Sequence, residues 1–202
     1  MSRPLIVCDC DEVILHMVVP FRDWLDEAHG IHFDFANGFA DALRHKHTGD
    51  ALDPTEVWPL LGEFFRDHMG RQGAIEGAVG ALNRLSVDAD LVILTNIGAE
   101  LGAAREAQLR RVGLDAPVIG NRGGKGRPLA ALMAERGTTR AVFIDDLGEQ
   151  HRSVAEHAPT VGRLQLVGEP EMAPHAATAP EAHARIDRWA EAEGWVRERL
   201  GM

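Results

Sequence analysis

Near one end of the chain lies the stretch Leu5-Ile6-Val7-Cys8-Asp9-Cys10-Asp11-Glu12-Val13, an apolar run that leads into acidic residues. The apolar run indicates a buried strand, and Asp9 and Asp11 follow it one residue apart. Open α/β sheets bind ligands at the carboxyl ends of their strands. Two carboxylates so close repel each other unless a cation or a shared proton relieves them. The stretch therefore predicts a metal site, an acid/base pair, or both.

Similar apolar segments recur along the chain and alternate with helical patterns. Strands are predicted over residues 5–8, 89–94, 117–120, 140–144 and 163–167, and helices over residues 75–85, 101–112, 128–136 and 181–200. Apolar strands that alternate with helices are typical of a parallel sheet with both faces covered. The sequence therefore predicts an α/β fold with a parallel sheet and helices on both faces.

The region after the first strand interrupts this alternation, because it has little strand pattern. Helices are predicted there around residues 21–29, 39–45 and 57–69, which together suggest a small helical insert. We expect a core domain made of residues 1–14 and 76–202 and an insert domain of residues 15–75. The basic run at residues 44–47 is either a substrate contact or a solvated helix end.

Composition narrows the class of protein. The chain has 202 residues, and its 31 acidic against 21 basic residues give a net charge of −10, which argues against a surface for duplex nucleic acid. No apolar segment is long enough to span a bilayer, and no secretory signal is visible. Cys8 and Cys10 flank Asp9 on a stiff strand, so we expect two packed, reduced thiols in a cytoplasmic protein.

Further polar groups follow the later strands or precede the later helices. Thr95 and Asn96 follow one strand, and their hydroxyl and backbone N–H groups suit phosphate oxygens. Lys125 lies in a glycine-rich loop before a helix, where its ammonium group can offset phosphate charge and where glycines let the loop approach a ligand. Asp145 and Asp146 follow another strand and supply the hard oxygen ligands that Mg²⁺ prefers.

The order of these groups resembles the four motifs of the haloacid dehalogenase superfamily, in its phosphatase branch. Those motifs are an acidic nucleophile with a second Asp two positions later, a Thr or Ser after a strand, a Lys before a helix, and an acidic pair. The first motif is matched by Asp9 and Asp11, the second by Thr95, the third by Lys125, and the fourth by Asp145 and Asp146. The resemblance implies a Rossmann-like core with a small helical cap. Glu12 departs from the family pattern, because many relatives have Gly or Thr at the position after the second Asp.

The resemblance also implies a function, a Mg²⁺-dependent phosphoric monoester hydrolase that acts on a small phosphorylated metabolite through an aspartyl-phosphate. Asp9 would be the nucleophile and Asp11 the acid and base. Phosphate would be held by Thr95, Asn96 and Lys125. The implied Mg²⁺ ligands are Asp9, Asp11 through its backbone carbonyl, Asp145 and Asp146.

Other functions remain open. The chain is alternatively a non-catalytic phosphate-binding or regulatory protein, a 2-haloacid dehalogenase or a phosphomutase. Dehalogenases that share this resemblance lack an acid at the position of Asp11, which favours the phosphatase and the mutase. A P-loop ATPase is set aside, since the loop before Lys125 is one residue short and Gly126 replaces the required Ser or Thr.

Overall fold

The structure, a computed structural model, describes residues 2–34 and 42–202. The strands in these ranges are β1 (Leu5–Cys8), β2 (Ile31–Phe33), β3 (Leu43–His45), β4 (Asp90–Thr95), β5 (Val118–Gly120), β6 (Ala141–Asp145), β7 (Gly162–Gln165) and β8 (Ala184–Arg185). The α-helices are α1 (Val18–His29), α2 (Pro54–Glu63), α3 (Ala78–Leu85), α4 (Gly102–Arg111), α5 (Gly126–Glu135), α6 (Gly148–His157) and α7 (Trp189–Leu200). No helix in the described ranges has the length and apolar character needed to cross a membrane.

A parallel sheet forms the centre of the fold. Its described strands stand in the order β5-β4-β1-β6-β7-β8, and every neighbouring pair is parallel. The central strand β1 is apolar throughout and fully buried, as expected for a strand covered on both faces. The register sets Val7 opposite Val92 of β4 and Phe143 of β6.

Helices cover both faces of the sheet, which confirms the predicted Rossmann-like α/β class. Successive residues of a strand point to opposite faces. Ile6 and Cys8 accordingly pack in one cluster with residues of α3, α4 and α7, whereas Leu5 and Val7 pack in a second cluster with residues of α5 and α6. The core is thus two apolar layers separated by the sheet.

The C-terminal part of the chain differs from the sequence prediction. The helix predicted over residues 181–200 begins only at Trp189, and Ala184 and Arg185 instead form β8 at the edge of the sheet. Hydrogen bonds from the sheet explain the difference, since His183 donates to the carbonyl of Arg163 and Ile186 to that of Gln165. Pairing with β7 therefore overrides the helical pattern of this segment.

The insert after β1 contains its own apolar core. Its members come from α1, β2, β3, α2 and the short π-helix Phe64–His68 that follows α2, and they include Phe21, Trp24, Phe33 and Phe64. The helix predicted over residues 39–45 is wrong at its C-terminal end, because Leu43–His45 forms β3 and pairs antiparallel with β2. Residues 39–41 lie outside the described ranges. The basic run therefore lies on a strand and its turn, and Lys46 there pairs with Asp26.

Two chain segments connect the insert to the core and run side by side. The N–H of His16 donates to the carbonyl of Gly73 at 2.9 Å, and the N–H of Ile75 donates to the carbonyl of Ile14 at 2.8 Å. Gln108 of α4 adds a side-chain bond of 2.6 Å to the carbonyl of Met69. The insert is thus attached directly beside the carboxyl ends of the sheet strands.

Candidate active site

The site lies at the carboxyl ends of β1, β4 and β6. Because β1 stands between the other two, Cys8 is level with Ile93 of β4 and Ile144 of β6. Asp9 continues β1, and its N–H donates to the carbonyl of Ile144 at 2.8 Å. The topology alone therefore brings together side chains that are more than 130 residues apart in sequence.

A lysine joins two of the carboxylates. The Nζ atom of Lys125 lies 2.7 Å from Asp9 Oδ1 and 2.7 Å from Asp145 Oδ2. The Lys125 side chain is 1% exposed and that of Asp9 is 8% exposed. One carboxylate oxygen from each of Asp9, Asp145 and Asp146 lies within 4.8 Å of the others. The sequence predicted each of these four residues, and the structure brings them together.

These buried charges alter one another's pKa. Burial raises the pKa of Asp9 to about 7, although Lys125 opposes the rise. Burial also raises the pKa of Asp146, helped by repulsion from Asp145 and Asp9. Burial acts against the Lys125 ammonium, but Asp145 and Asp9 outweigh it and raise the pKa of Lys125. One ammonium group therefore does not neutralise this crowded set of carboxylates.

Side chains around the cluster fix its members. The N–H of Lys125 donates to Gln150 Oε1 of α6 at 2.9 Å. The N–H of Leu147 donates to Asp145 Oδ1 at 2.9 Å, and His151 Nε2 lies 3.0 Å from the carbonyl oxygen of Asp145. Helix α6 thus orients both the lysine and the first acid of the pair.

Two of the glycines beside Lys125, Gly124 and Gly126, are required by the packing of α5 against α6. A Cβ atom on Gly126 would lie 2.0 Å from the carbonyl oxygen of Ser153 in α6, and one on Gly124 would lie 2.5 Å from Ser153 Oγ. Ser153 Oγ also accepts the N–H of Gly126 at 3.0 Å. Because these glycines lack a Cβ atom, the start of α5 packs directly against α6, and this contact positions Lys125.

Asn96 supports the same loop from the other side. Its exposed side chain donates to the carbonyl of Gly123 at 3.0 Å and accepts from Asn121 Nδ2 at 2.9 Å. These bonds hold the loop before Lys125 against the end of β4. The Asn96 side chain therefore acts on the loop, whereas Thr95, which is fully buried, faces Asp11.

The carboxylate of Asp11 is held apart from the cluster of three acids. Arg105 of α4 binds both its oxygens, at 3.0 Å to Oδ1 and 3.2 Å to Oδ2. Gln72 Nε2 donates to Oδ1 at 2.7 Å, and Thr95 Oγ1 lies 3.5 Å from Oδ2. The Asp11 side chain is 15% exposed, which is more than the 8% of Asp9 and the 1% of Lys125.

Glu12 joins the site to the insert. Its Oε1 atom accepts the N–H groups of Met17 and Val18 at 2.8 and 2.6 Å and so caps the start of α1. Burial raises the pKa of Glu12 to about 7, although these two bonds oppose the rise. A carboxylate at a helix N-terminus meets unpaired N–H groups and the positive end of the helix dipole.

Sequence reasoning missed Arg105 and Gln72. A signal existed for Arg105, since α4 buries Arg105 and Gln108 on the same face as Leu109. Polar residues at the core positions of a helix are uncommon unless they are paired. No comparable pattern marks Gln72, which lies outside a helix or strand in the segment returning from the insert.

The donor set suits a hard divalent cation. Three carboxylates within 4.8 Å of one another supply the oxygen ligands that Mg²⁺ binds. When the three acids are ionised, they carry three negative charges against the one ammonium group of Lys125, so negative charge is in excess there. A bound cation would relieve that excess, so the residues present fit the metal that the motifs imply.

Solved structures identify the fold. A haloacid dehalogenase-like hydrolase from Streptococcus pneumoniae is 12% identical, with a TM-score of 0.66 over 96% of this chain and 98% of that chain. A haloacid dehalogenase family hydrolase from Deinococcus radiodurans, solved with phosphate and sodium, is 18% identical, with a TM-score of 0.64 over 98% and 96%. A protein named as a predicted phosphoglycolate phosphatase from Haemophilus somnus is 12% identical, with a TM-score of 0.67 over 96% and 98%. No protein-family model and no curated protein matches the chain.

The fold is therefore that of the haloacid dehalogenase-like proteins, which confirms the fold that the motifs predicted. At 10–18% identity these likenesses define the fold. The chemistry has to be argued from the residues of this chain.

Proposed function

We propose that this chain is a Mg²⁺-dependent phosphoric monoester hydrolase that works through an aspartyl-phosphate on Asp9. The observation that carries the proposal is the convergence of Asp9, Lys125, Asp145 and Asp146 at adjacent strand ends. A phosphatase needs a nucleophile beside groups that neutralise phosphate charge, and this cluster supplies both. The phosphate-bound hydrolase from Deinococcus radiodurans has the same fold and supports the choice of ligand.

Asp9, Asp145 and Asp146 would hold the Mg²⁺ ion, together with the backbone carbonyl of Asp11. When bound, the ion supplies positive charge that offsets the charge of the phosphate oxygens and of the carboxylates. Lys125 adds a fixed positive charge between Asp9 and Asp145. The repulsion between an anionic nucleophile and an anionic substrate is thereby reduced.

The reaction has two halves. Asp9 Oδ attacks phosphorus in line with the ester oxygen, and the phosphorus–ester bond breaks as the phosphorus–Asp9 bond forms. Thr95, the N–H of Asn96 and Lys125 hold the transferred phosphoryl group. Water then attacks the aspartyl-phosphate, which releases inorganic phosphate and restores Asp9.

Asp11 handles the proton in each half. It donates a proton to the departing alcohol oxygen and then accepts one from the attacking water. Its carboxylate, partly exposed and close to Thr95, borders the place where the ester oxygen leaves. A halide leaving group needs no proton, so Asp11 favours phosphate ester hydrolysis over dehalogenation.

We further propose that the substrate is a small phosphorylated metabolite rather than duplex nucleic acid or a membrane lipid. Asp9 and Lys125 are nearly closed to solvent. We propose that the insert, which is attached beside the carboxyl ends of the strands, is a cap domain. The net charge of −10 disfavours a polyanionic partner. Both cysteines are free thiols, which supports a cytoplasmic location.

Hydrolysis of aryl and sugar phosphates by wild type and Asp9→Asn tests the proposal. Wild type should turn over at least part of such a panel with Mg²⁺ present and lose this activity with a chelator. The Asn side chain is nearly isosteric but does not form the acyl phosphate, so turnover should fall by about 10³-fold or more. The release of inorganic phosphate measures the turnover of wild type and of the variant.

A matched control is Asp115→Asn, because Asp115 is an exposed acid that precedes β5 and so stands at the amino end of a strand, not at the carboxyl ends where the site lies. It should keep wild-type activity. Turnover by Asp9→Asn at the wild-type rate would exclude Asp9 as the nucleophile. Phosphate binding without any turnover would favour the non-catalytic alternative, halide release from 2-halo acids would favour the dehalogenase, and isomerised sugar phosphates would favour the mutase.

A further inference from the structure

Arg105 is a fully buried cation that the reaction above does not use. It lies on the inner face of α4, and its side chain is 0% exposed. Burying a guanidinium group costs free energy unless paired charges and hydrogen bonds compensate for it. Apolar residues at such positions often give equal or higher stability, so the presence of Arg105 calls for a specific partner.

That partner is Asp11. The two terminal nitrogens of Arg105 each bind one oxygen of the carboxylate, in the planar two-bond geometry that arginine forms and lysine does not. Nη1 also lies 3.1 Å from the sulfur of Cys10. On the other side the guanidinium carbon lies 5.6 Å from the ring centre of Phe65, which belongs to the insert. Arg105 is thus fixed from both the core and the insert.

The two oxygens of Asp11 are not equivalent in this arrangement. Oδ1 accepts two short bonds, from Arg105 at 3.0 Å and from Gln72 at 2.7 Å. Oδ2 accepts from Arg105 at 3.2 Å and lies 3.5 Å from the hydroxyl of Thr95. Oδ2 is therefore the less saturated oxygen, and it is the one that lies beside the residue proposed to hold phosphate.

We propose that Arg105 is a positioning residue that fixes the Asp11 carboxylate so that Oδ2 carries the proton exchanged with the leaving group and with water. The inference rests on the proposed phosphatase function. Arg105 acts through Asp11, because its terminal nitrogens are engaged by Asp11 and Cys10. Gln72 is the second anchor and connects this geometry to the segment that returns from the insert.

A series of phosphate esters tests the proposal, since only poor leaving groups need a proton. Arg105→Gln should lower kcat by about tenfold or more on phenyl or alkyl phosphates, within the range that acid catalysis supplies. On an activated ester such as 2,4-dinitrophenyl phosphate the loss should stay within about threefold. Asp11→Asn should show the same dependence on the leaving group.

The double variant Asp11→Asn/Arg105→Gln makes the test sharper. If Arg105 acts only through Asp11, removing it from the Asn variant should change kcat by less than about threefold, because the two effects are not additive. Arg105→Lys keeps the cation without the planar pair of bonds. The Arg105→Lys variant should fold and should show the leaving-group dependence expected of Arg105→Gln. It therefore provides the test if Arg105→Gln does not fold.

Arg111→Gln is the matched control, because Arg111 is exposed on the same helix. It should behave as wild type on every ester. Equal losses on good and poor leaving groups, or fully additive losses with Asp11→Asn, would overturn the positioning role while leaving the phosphatase intact. A wild type inactive on the whole panel would instead overturn the phosphatase function and this inference with it.

Discussion

Among single residues, Glu12 shows how the site is built under strain. Its φ of 61° lies in the left-handed region, which is uncommon for a residue with a side chain. Such a conformation persists only when surrounding contacts compensate for its cost. Here the compensation is visible, since the carboxylate accepts the first N–H groups of α1. Glycine would adopt this backbone conformation more easily, but it has no carboxylate to accept these N–H groups and fix the junction between core and insert.

Glu12→Gln should change how stability depends on pH. With a pKa of about 7 in the folded protein and 4.5 as its ordinary value, Glu12 releases its proton earlier in the unfolded chain. Its contribution to stability is therefore full below pH 4.5 and is lost as pH rises through 7. Glutamine keeps the accepting oxygen without that titration. As pH rises from 4.5 through 7, the free energy of unfolding of the variant should therefore increase by about 3 kcal/mol relative to that of wild type.

Urea unfolding across this pH range, with a chelator present, measures the effect. Glu76→Gln removes an exposed carboxylate and serves as the control, with a pH dependence that follows wild type. A stability difference between Glu12→Gln and wild type that stays constant with pH would show that Glu12 does not titrate as described.

The individual site residues were predictable to different degrees. Asp9 follows the apolar strand β1, and Thr95 and Asp145 are the last residues of β4 and β6, so sequence order together with parallel topology placed them. Arg105 was not predicted, because its role depends on which face of α4 is turned to the sheet ends. Gln72 belongs to a segment without periodicity, and only the paired connections of the insert bring it to Asp11.

Among the helices and strands, the C-terminal helix α7 holds the loop that carries the acids. The indole N–H of Trp189 donates to the carbonyl of Val13 at 2.8 Å, and the side chain is 1% exposed. A helix was predicted here over residues 181–200, but the sequence indicated no partner for Trp189. The last helix of the chain therefore fixes the turn that follows β1.

Trp189→Phe should destabilise the protein by about 1–3 kcal/mol, because the buried carbonyl of Val13 loses its indole donor. The ring that remains keeps most of the apolar contact. Trp195→Phe is the control on the same helix, where the side chain is only half-buried. Urea denaturation compares the two, and a loss no larger than that of Trp195→Phe would contradict the role given to Trp189.

Errors in the predicted elements share a cause. Residues 43–45 and 184–185 carry helical patterns yet form β3 and β8. Each is a strand of two or three residues, and such short strands depend on hydrogen bonds from a neighbour rather than on their own periodicity. Long apolar strands such as β4 and β6 carry a strong local signal, which is why they were predicted correctly.

At the scale of the whole molecule, the site lies beside the two connections that join the insert to the sheet. The ends of β1 and β6 contribute the acids, the loop before α5 contributes the lysine, and the returning segment of the insert contributes Gln72. The α/β class was predictable because alternating strands and helices permit few topologies. The inner structure of the insert was not, because residues 15–75 combine short strands and several prolines with little periodic pattern.

The central claim is that Asp9 carries the phosphoryl group during turnover. Its most direct test is rapid acid quenching of the protein with a phosphate ester and Mg²⁺, followed by mass spectrometry of the peptide that contains Asp9. The account predicts one added phosphoryl group on that peptide in wild type and none in Asp9→Asn. Steady turnover with no phosphoryl group on that peptide at any quench time would contradict it.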